Sequence, residues 1–293
     1  MLIADNMVIH GERAIAKSYA KINLTLDVLG KLPNGYHEIE SIMQTINLFD
    51  LVIVDKSSSG IDIRTNLRFL PTNEKNIAYK AADLFFKHTN IKGGVRILIH
   101  KNIPVAAGLA GGSGNGAAVL VALNALYDAG LNDDELCAIA SKLGADVPYC
   151  MIGGTMLAKG IGEILSPVPN LKKKIILIAK PPVGASTAEI YEYLDNVEIS
   201  RRPVLPEMKK ALEADNLKAI SDNLCNVMEE ATIKLNPVIG GIKQKMMLNG
   251  AIGALMSGSG STVFGFFDDY QTAKKSHDSF SQLYKDVFLT HTL

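Results

Sequence analysis

The passage from residue 95 to residue 129 restricts the fold more than any other. Val95 to Ile99 has the branched, apolar character of a strand, Gly108 to Gly112 is a glycine-rich loop, and a helix is expected from about Ser113 to Ala129, closed by Gly130. In that order the backbone can approach a ligand closely, aim successive N–H groups at it, and add the positive dipole end of the helix. An anion such as phosphate suits the arrangement; the alternative is a small-residue turn that seats a helix tightly on a sheet. Asn102 to Tyr127 carries no charge, but it contains Pro104 and five glycines. Its continuous apolar part begins only near Ala117, too short for the ~20 residues of a spanning helix.

The elements around this passage can be read from periodicity. Ala14 to Leu29 alternates apolar and polar residues, Pro33-Asn34-Gly35 marks a turn, and Ser41 to Val54 continues as one or two strands. Asn76 to His88 has helical spacing, and Asn132-Asp133-Asp134-Glu135 opens a helix that ends near Gly144. Thr155 to Leu165 and Lys174 to Ala179 look like strands. Glu189 to Met247 is mostly helical with breaks at Pro203, Pro206 and Pro237, and Ala254 to Phe267 is strand–turn–strand. A short helix and a strand at Val287-Phe288-Leu289 follow. Strands, helices, then strands with helices predict an α+β protein of two domains, divided near residues 160 to 170.

Composition narrows the function classes. Thirty lysines and arginines against 30 aspartates and glutamates leave no net charge, so neither a nucleic acid nor an anionic membrane is an expected partner. Cys137, Cys150 and Cys225 make no CxxC pair, which argues against a disulfide framework or a structural zinc site and for a reducing, cytoplasmic setting. The opening MLIADNMVIHGE lacks a basic n-region and an apolar h-region, so no secretory leader is expected.

Three phosphate-binding architectures compete for the glycine loop. A P-loop needs GxxxxGK[ST], which does not occur. Gly112-Ser113-Gly114-Asn115-Gly116-Ala117 fits a dinucleotide fingerprint with Asp133 and Asp134 downstream, but those acids open a helix where that fold needs a strand end. The third architecture rests on a resemblance. Pro104 to Ser113 is similar to the phosphate loop of the GHMP kinase superfamily, and Leu255-Met256-Ser257-Gly258-Ser259-Gly260-Ser261 to its third motif. Tyr19-Ala20-Lys21-Ile22-Asn23-Leu24, Asn34-Gly35-Tyr36-His37-Glu38 and Gly144-Ala145-Asp146-Val147-Pro148 resemble the branch of that superfamily acting on a cytidine-diphosphate-linked methylerythritol. The likeness runs from about Ala14 to the C-terminus. Against the family's usual Gly-Leu-Gly-Gly-Gly-Ser-Ser, this chain has Ala110 for a glycine and Gly114 for the second serine; Gly116 replaces an alanine shortly after. Ala110 would restrict the loop if that position needs a positive φ.

The resemblance implies a two-domain fold: an N-terminal ribosomal-S5-domain-2-like nucleotide-binding domain at residues 1–165 and a C-terminal ferredoxin-like α/β domain at 166–293. It also implies ATP with Mg2+, and phosphorylation of the 2-hydroxyl of the cytidyl-methylerythritol on the non-mevalonate route to isoprenoid precursors. Pro104-Val105-Ala106-Ala107-Gly108-Leu109-Ala110-Gly111-Gly112-Ser113-Gly114 would bind ATP, flanked by Gly258, Ser259 and Gly260. Asp146 is the candidate base and Lys21, interrupting a half-buried strand, its expected partner; the alternatives are an aspartate bonding local backbone and a lysine on an exposed edge. Asn23, Tyr36 and His37 would recognise the cytosine. Thr187 is either a substrate-pocket residue or the N-cap of a helix beginning at Ala188. No carboxylate cluster marks a protein-built metal cage. A homoserine or mevalonate kinase is disfavoured by Asn34-Gly35-Tyr36-His37, an RNA-binding module by the zero charge, and an oxidoreductase by the missing strand.

Overall fold

The alternation that announces strands in the first sixty residues produces two long ones. The computed structural model describes residues 1–171 and 173–293. The chain divides into two compact units, the first comprising residues 1–20, 48–105 and 110–153, the second residues 21–47, 106–109 and 154–293. Strands β2 (Arg13–Lys31) and β3 (His37–Ser57) each contribute one end to either unit.

The first unit holds α1 (Leu2–Asp5), β1 (Met7–His10), β4 (Gly60–Thr65), α2 (Ile77–Thr89), β5 (Gly94–His100), α3 (Gly111–Leu126), α4 (Asp133–Ser141) and α5 (Asp146–Ile152). In it β1 pairs antiparallel with the start of β2, and β5 lies between the end of β3, antiparallel, and β4, parallel. Helix α3 is apolar on every side and buried from Gly114 through Leu123, as befits a helix at the centre of a core. It packs on α2 and on α5. Two of the loop's departures from the family pattern find their cause here. A β-carbon on Gly116 would lie 2.7 Å from Ile77 Cγ2 of α2, and one on Gly114 would collide with Ser18 Oγ. Both glycines let α3 sit closer to its neighbours than the usual residues would.

Several boundaries differ from the expected ones. Helix α3 starts at Gly111, two residues before Ser113, because Ala110 takes the left-handed conformation (φ +56°) and turns the chain into the helix directly. It ends at Leu126 rather than Ala129, since Tyr127 is drawn off to Gly94, its Oη 2.7 Å from the carbonyl oxygen, and Asn124 clamps Leu131. Gly130 is left-handed but lies past the cap, which is Tyr127. Asn132 and Glu135 form a reciprocal capping box at α4. Asp146, expected in a turn held between Gly144 and Pro148, is the first residue of α5.

The second unit holds β6 (Thr155–Lys159), β7 (Ile164–Pro167), β8 (Ile175–Lys180), α6 (Thr187–Leu194), α7 (Leu205–Glu213), α8 (Leu217–Asp222), β9 (Cys225–Asn226), α9 (Met228–Leu235), α10 (Val238–Leu248), β10 (Gly253–Met256), β11 (Val263–Phe267), α11 (Tyr270–Ser281) and β12 (Asp286–His291). The single strand expected over Thr155 to Leu165 is the hairpin β6–β7, folded at Gly160 and Gly162, which both have positive φ. A four-stranded sheet runs β10–β11–β8–β12. Its core gathers Leu177, Phe267, Ile239, Ile242, Met246 and Phe280 between strands and helices.

Candidate active site

Lys21 is buried (5% exposed), which a lysine tolerates only with a partner, so the exposed-edge alternative is excluded. Its ammonium donates to Asn23 Oδ1 at 2.8 Å, the partner shown in place of the expected Asp146, and Asn23 Nδ2 donates to Ser41 Oγ at 2.8 Å. Ser41 in turn donates to the Thr25 carbonyl at 2.6 Å. The chain Lys21–Asn23–Ser41 fixes the ammonium's position. The Lys21 backbone N–H donates to Leu109 O at 3.2 Å, so the lysine adjoins the middle of the glycine loop.

The same stretch of loop meets the third motif. Ser257, fully buried, donates from its hydroxyl to Gly108 O at 3.0 Å. Gly108 itself has φ +73°, and a β-carbon there would overlap the Ser257 carbonyl oxygen. Asn226 secures the turn from below, its Nδ2 donating to Met256 O (2.9 Å) and Gly258 O (2.8 Å). Two glycine-bearing turns therefore meet backbone to backbone beside a buried cation. A buried ammonium beside two glycine-bearing turns suits the negative charge of a phosphate.

In the first unit, Gly111 begins α3. The first turn has no capping side chain and no acidic residue, so its N–H groups have no partner from a cap. Ala110 O lies 4.0 Å from Cys150 Sγ of α5, the helix that begins with Asp146. Asp146 is half-buried, and among the described residues nothing is hydrogen-bonded to its carboxylate, so local backbone bonding does not explain it.

Tyr36 and His37 line a third feature, a cavity of about 600 Å3 shared with Lys31, Tyr191 and Asp195. Tyr36 is 61% exposed, which removes hairpin packing as its role. The His37 ring stacks on Tyr191 with centroids 4.2 Å apart and planes 5° from parallel, and its Nε2 lies 2.8 Å from Asp195 Oδ1. That hydrogen bond, with the charges of His37 and Lys31, holds the Asp195 carboxyl below the usual carboxylate range. A flat aromatic pair edged by a fixed hydrogen-bonding group can take a planar heterocycle. Sequence reasoning missed Tyr191 and Asp195, which lie more than 150 residues from His37, in and at the end of a helix with no motif of its own. Thr187 is not an N-cap: Ser186 caps α6, accepting from Glu189 N–H, and the Thr187 hydroxyl lies 2.9 Å from Ser259 Oγ.

Residues 76–154 match the GHMP kinases N terminal domain and residues 208–286 the GHMP kinases C terminal domain. The chain is 47% identical over 277 residues to the 4-diphosphocytidyl-2-C-methyl-D-erythritol kinase of Clostridium novyi (strain NT), covering 94% of this chain and 99% of that one. It is also 47% identical to the same-named protein of Alkaliphilus metalliredigens (strain QYMF), covering 94% and 95%. A crystal structure of 4-(cytidine 5'-diphospho)-2C-methyl-D-erythritol kinase superposes with a TM-score of 0.82 at 31% identity over 95% of this chain and 98% of that one. The homoserine kinase of Cytophaga hutchinsonii, at 18% identity and a TM-score of 0.75 over 97% and 96%, shares the fold. The α+β GHMP kinase fold expected from the motifs is the fold observed, and the chain belongs to the 4-diphosphocytidyl-2-C-methyl-D-erythritol kinase family of the GHMP kinases.

Proposed function

We propose that this chain uses ATP to phosphorylate the 2-hydroxyl of 4-diphosphocytidyl-2-C-methyl-D-erythritol, on the methylerythritol phosphate route to isoprenoid precursors. The observation that carries the substrate assignment is the cavity in which His37 stacks on Tyr191, ready to hold a cytosine ring, in a chain whose relatives bear that enzyme's name. Residues Pro104 to Gly114, with Gly258, Ser259 and Gly260, cradle the triphosphate of ATP. Asp146 accepts the proton of the substrate hydroxyl as its oxygen attacks the γ-phosphorus and the bond to the β-phosphate oxygen breaks, releasing ADP. Lys21, fixed by Asn23, stabilises the charge on the transferred group. Tyr36, His37 and Thr187 orient the substrate, with Asn23 shared between the two tasks.

Magnesium supplies charge neutralisation on the phosphates. Among the described residues no three His, Cys, Asp or Glu side chains gather into a group that could hold a metal ion. We place the enzyme in the cytoplasm, with ATP and a small-molecule substrate as its partners. No helix among the described residues is long and apolar enough to cross a membrane. The division of function between residues 1–165 and 166–293 is part of the same proposal.

The test is ADP release in the presence of ATP, magnesium and the cytidyl-methylerythritol. Turnover that depends on this substrate supports the reading; turnover with homoserine or mevalonate and none with the cytidyl compound overturns it. Asp195→Asn should raise the KM for the cytidyl substrate about threefold to tenfold, with kcat within about twofold, because it loosens a hydrogen bond that orients His37 without touching the phosphoryl site. Since the Asp195 carboxyl titrates below its ordinary value, that contact holds at neutral pH and is lost only as acid protonates Asp195. An unchanged KM in the variant would remove Asp195 from substrate binding.

A further inference from the structure

One carboxylate takes no part in the chemistry above and is more deeply buried than any that does. Asp50, in β3, is 0% exposed. Its Oδ1 accepts from the backbone N–H groups of Asn102 and Ile103, each at 2.8 Å. Its Oδ2 pairs with the buried ammonium of Lys101 and, with the Asn115 amide assigned the orientation that turns its nitrogen toward acceptors, lies 2.9 Å from that nitrogen. That nitrogen is also 3.1 Å from Ser18 Oγ and 3.0 Å from Gly111 O. Asn66 fixes Lys101 further, accepting from its N–H at 2.8 Å and donating to its carbonyl at 3.2 Å.

The positions of these partners matter more than their number. Lys101, Asn102 and Ile103 are the residues that lead into the glycine loop, and Asn115 is the fifth residue of α3, just past its exit. One carboxylate therefore joins the two ends of the segment Pro104 to Gly114. A fully buried ion pair is a weak source of net stability, because its desolvation offsets most of the attraction and an apolar replacement of equal volume often does as well. What such a pair does supply is directional bonds at fixed spacing. We propose that Asp50 is a positioning residue for the nucleotide: it sets the distance between the loop's entry and exit, and so the convergence of the N–H groups at the start of α3 on one phosphate. The inference rests on the reading of this loop as the ATP site.

The experiment compares Asp50→Asn with the unaltered enzyme by calorimetric titration of ADP, KM for ATP, KM for the cytidyl substrate, and melting temperature. Asparagine keeps the Oδ1 acceptor for Asn102 and Ile103 but turns an amide NH2, a donor, toward Lys101 and Asn115. The ADP dissociation constant and the ATP KM should rise about tenfold or more while the other KM stays within about twofold. A purely structural role would lower the fraction of folded enzyme, and with it the apparent kcat, and leave both KM values alone; that result overturns the proposal. Asn115→Ala removes only the tie at the exit and should raise the ATP KM about threefold even where Asp50→Asn does not fold. An unchanged ATP KM in Asn115→Ala also overturns it. Failure of the unaltered enzyme to bind ADP would instead overturn the phosphate reading of the loop.

Discussion

Asp146→Asn should lower kcat by about 10²–10⁴-fold, the range for loss of a positioned general base, while the affinity for ADP stays unchanged. Asparagine has the size and shape of aspartate and can still accept hydrogen bonds, but it cannot take the proton that the substrate hydroxyl must lose. The surroundings should not move. Val147, Pro148, Tyr149, Cys150 and Met151 behind it are all buried, so the helix that carries residue 146 is anchored independently of its carboxylate. Among the described residues the carboxylate has no hydrogen bond to forfeit. Steady-state rates with a parallel ADP titration make the measurement. A kcat within about threefold of the unaltered enzyme would mean that the proton leaves by another route and that Asp146 only helps to hold the substrate.

Gly108→Ala should be among the most damaging single methyl groups that the loop can receive. Two costs coincide. The residue has φ +73°, where an L side chain is disfavoured by about 1–2 kcal/mol. The new carbon would also overlap the Ser257 carbonyl oxygen and approach the Gly260 carbonyl oxygen at 3.2 Å. Both obstacles are backbone atoms of a turn held by Asn226, so neither can rotate aside, and overpacking of this kind adds about 1–3 kcal/mol. The sum, roughly 2–5 kcal/mol, corresponds to a fall in Tm of about 4–20 °C for a unit of this size. A melting curve within about 2 °C of the unaltered protein would show that the two turns part easily, and that their contact is not a fixed wall of the site.

The parts of this protein that follow local rules were legible in the sequence. The strand, glycine loop and helix around Gly108, the turn at Gly35 and the helix after Asn132 each depend on residues within a few positions of one another. So did the concern over Ala110, whose left-handed backbone shows that the position does ask for a positive φ and tolerates an alanine at some strain. Asp50 and Asp195 were not legible. Each acts through partners brought to it by the fold, Asn102 and Asn115 in one case and His37 in the other, and an isolated aspartate in a strand or at a helix end leaves no periodic or spacing signal. The break at Tyr127 was hidden for the same reason: a tertiary hydrogen bond to Gly94 ends the helix before its own glycine stop. Lys21 was legible as an anomaly in a buried strand, but the amide that fixes it required the Asn23 side chain to be seen.

The close approach of Ile77 to Gly116, and of Ser18 to Gly114, also bears on how this sequence can change. An alanine at 116 meets the Ile77 methyl at 2.7 Å unless residue 77 becomes smaller. A serine at 114 displaces the Ser18 hydroxyl from its place 3.1 Å from the Asn115 amide. Each of these glycines is thus coupled to the residue beside it, and a larger side chain at 114 or 116 requires a compensating change at 18 or 77.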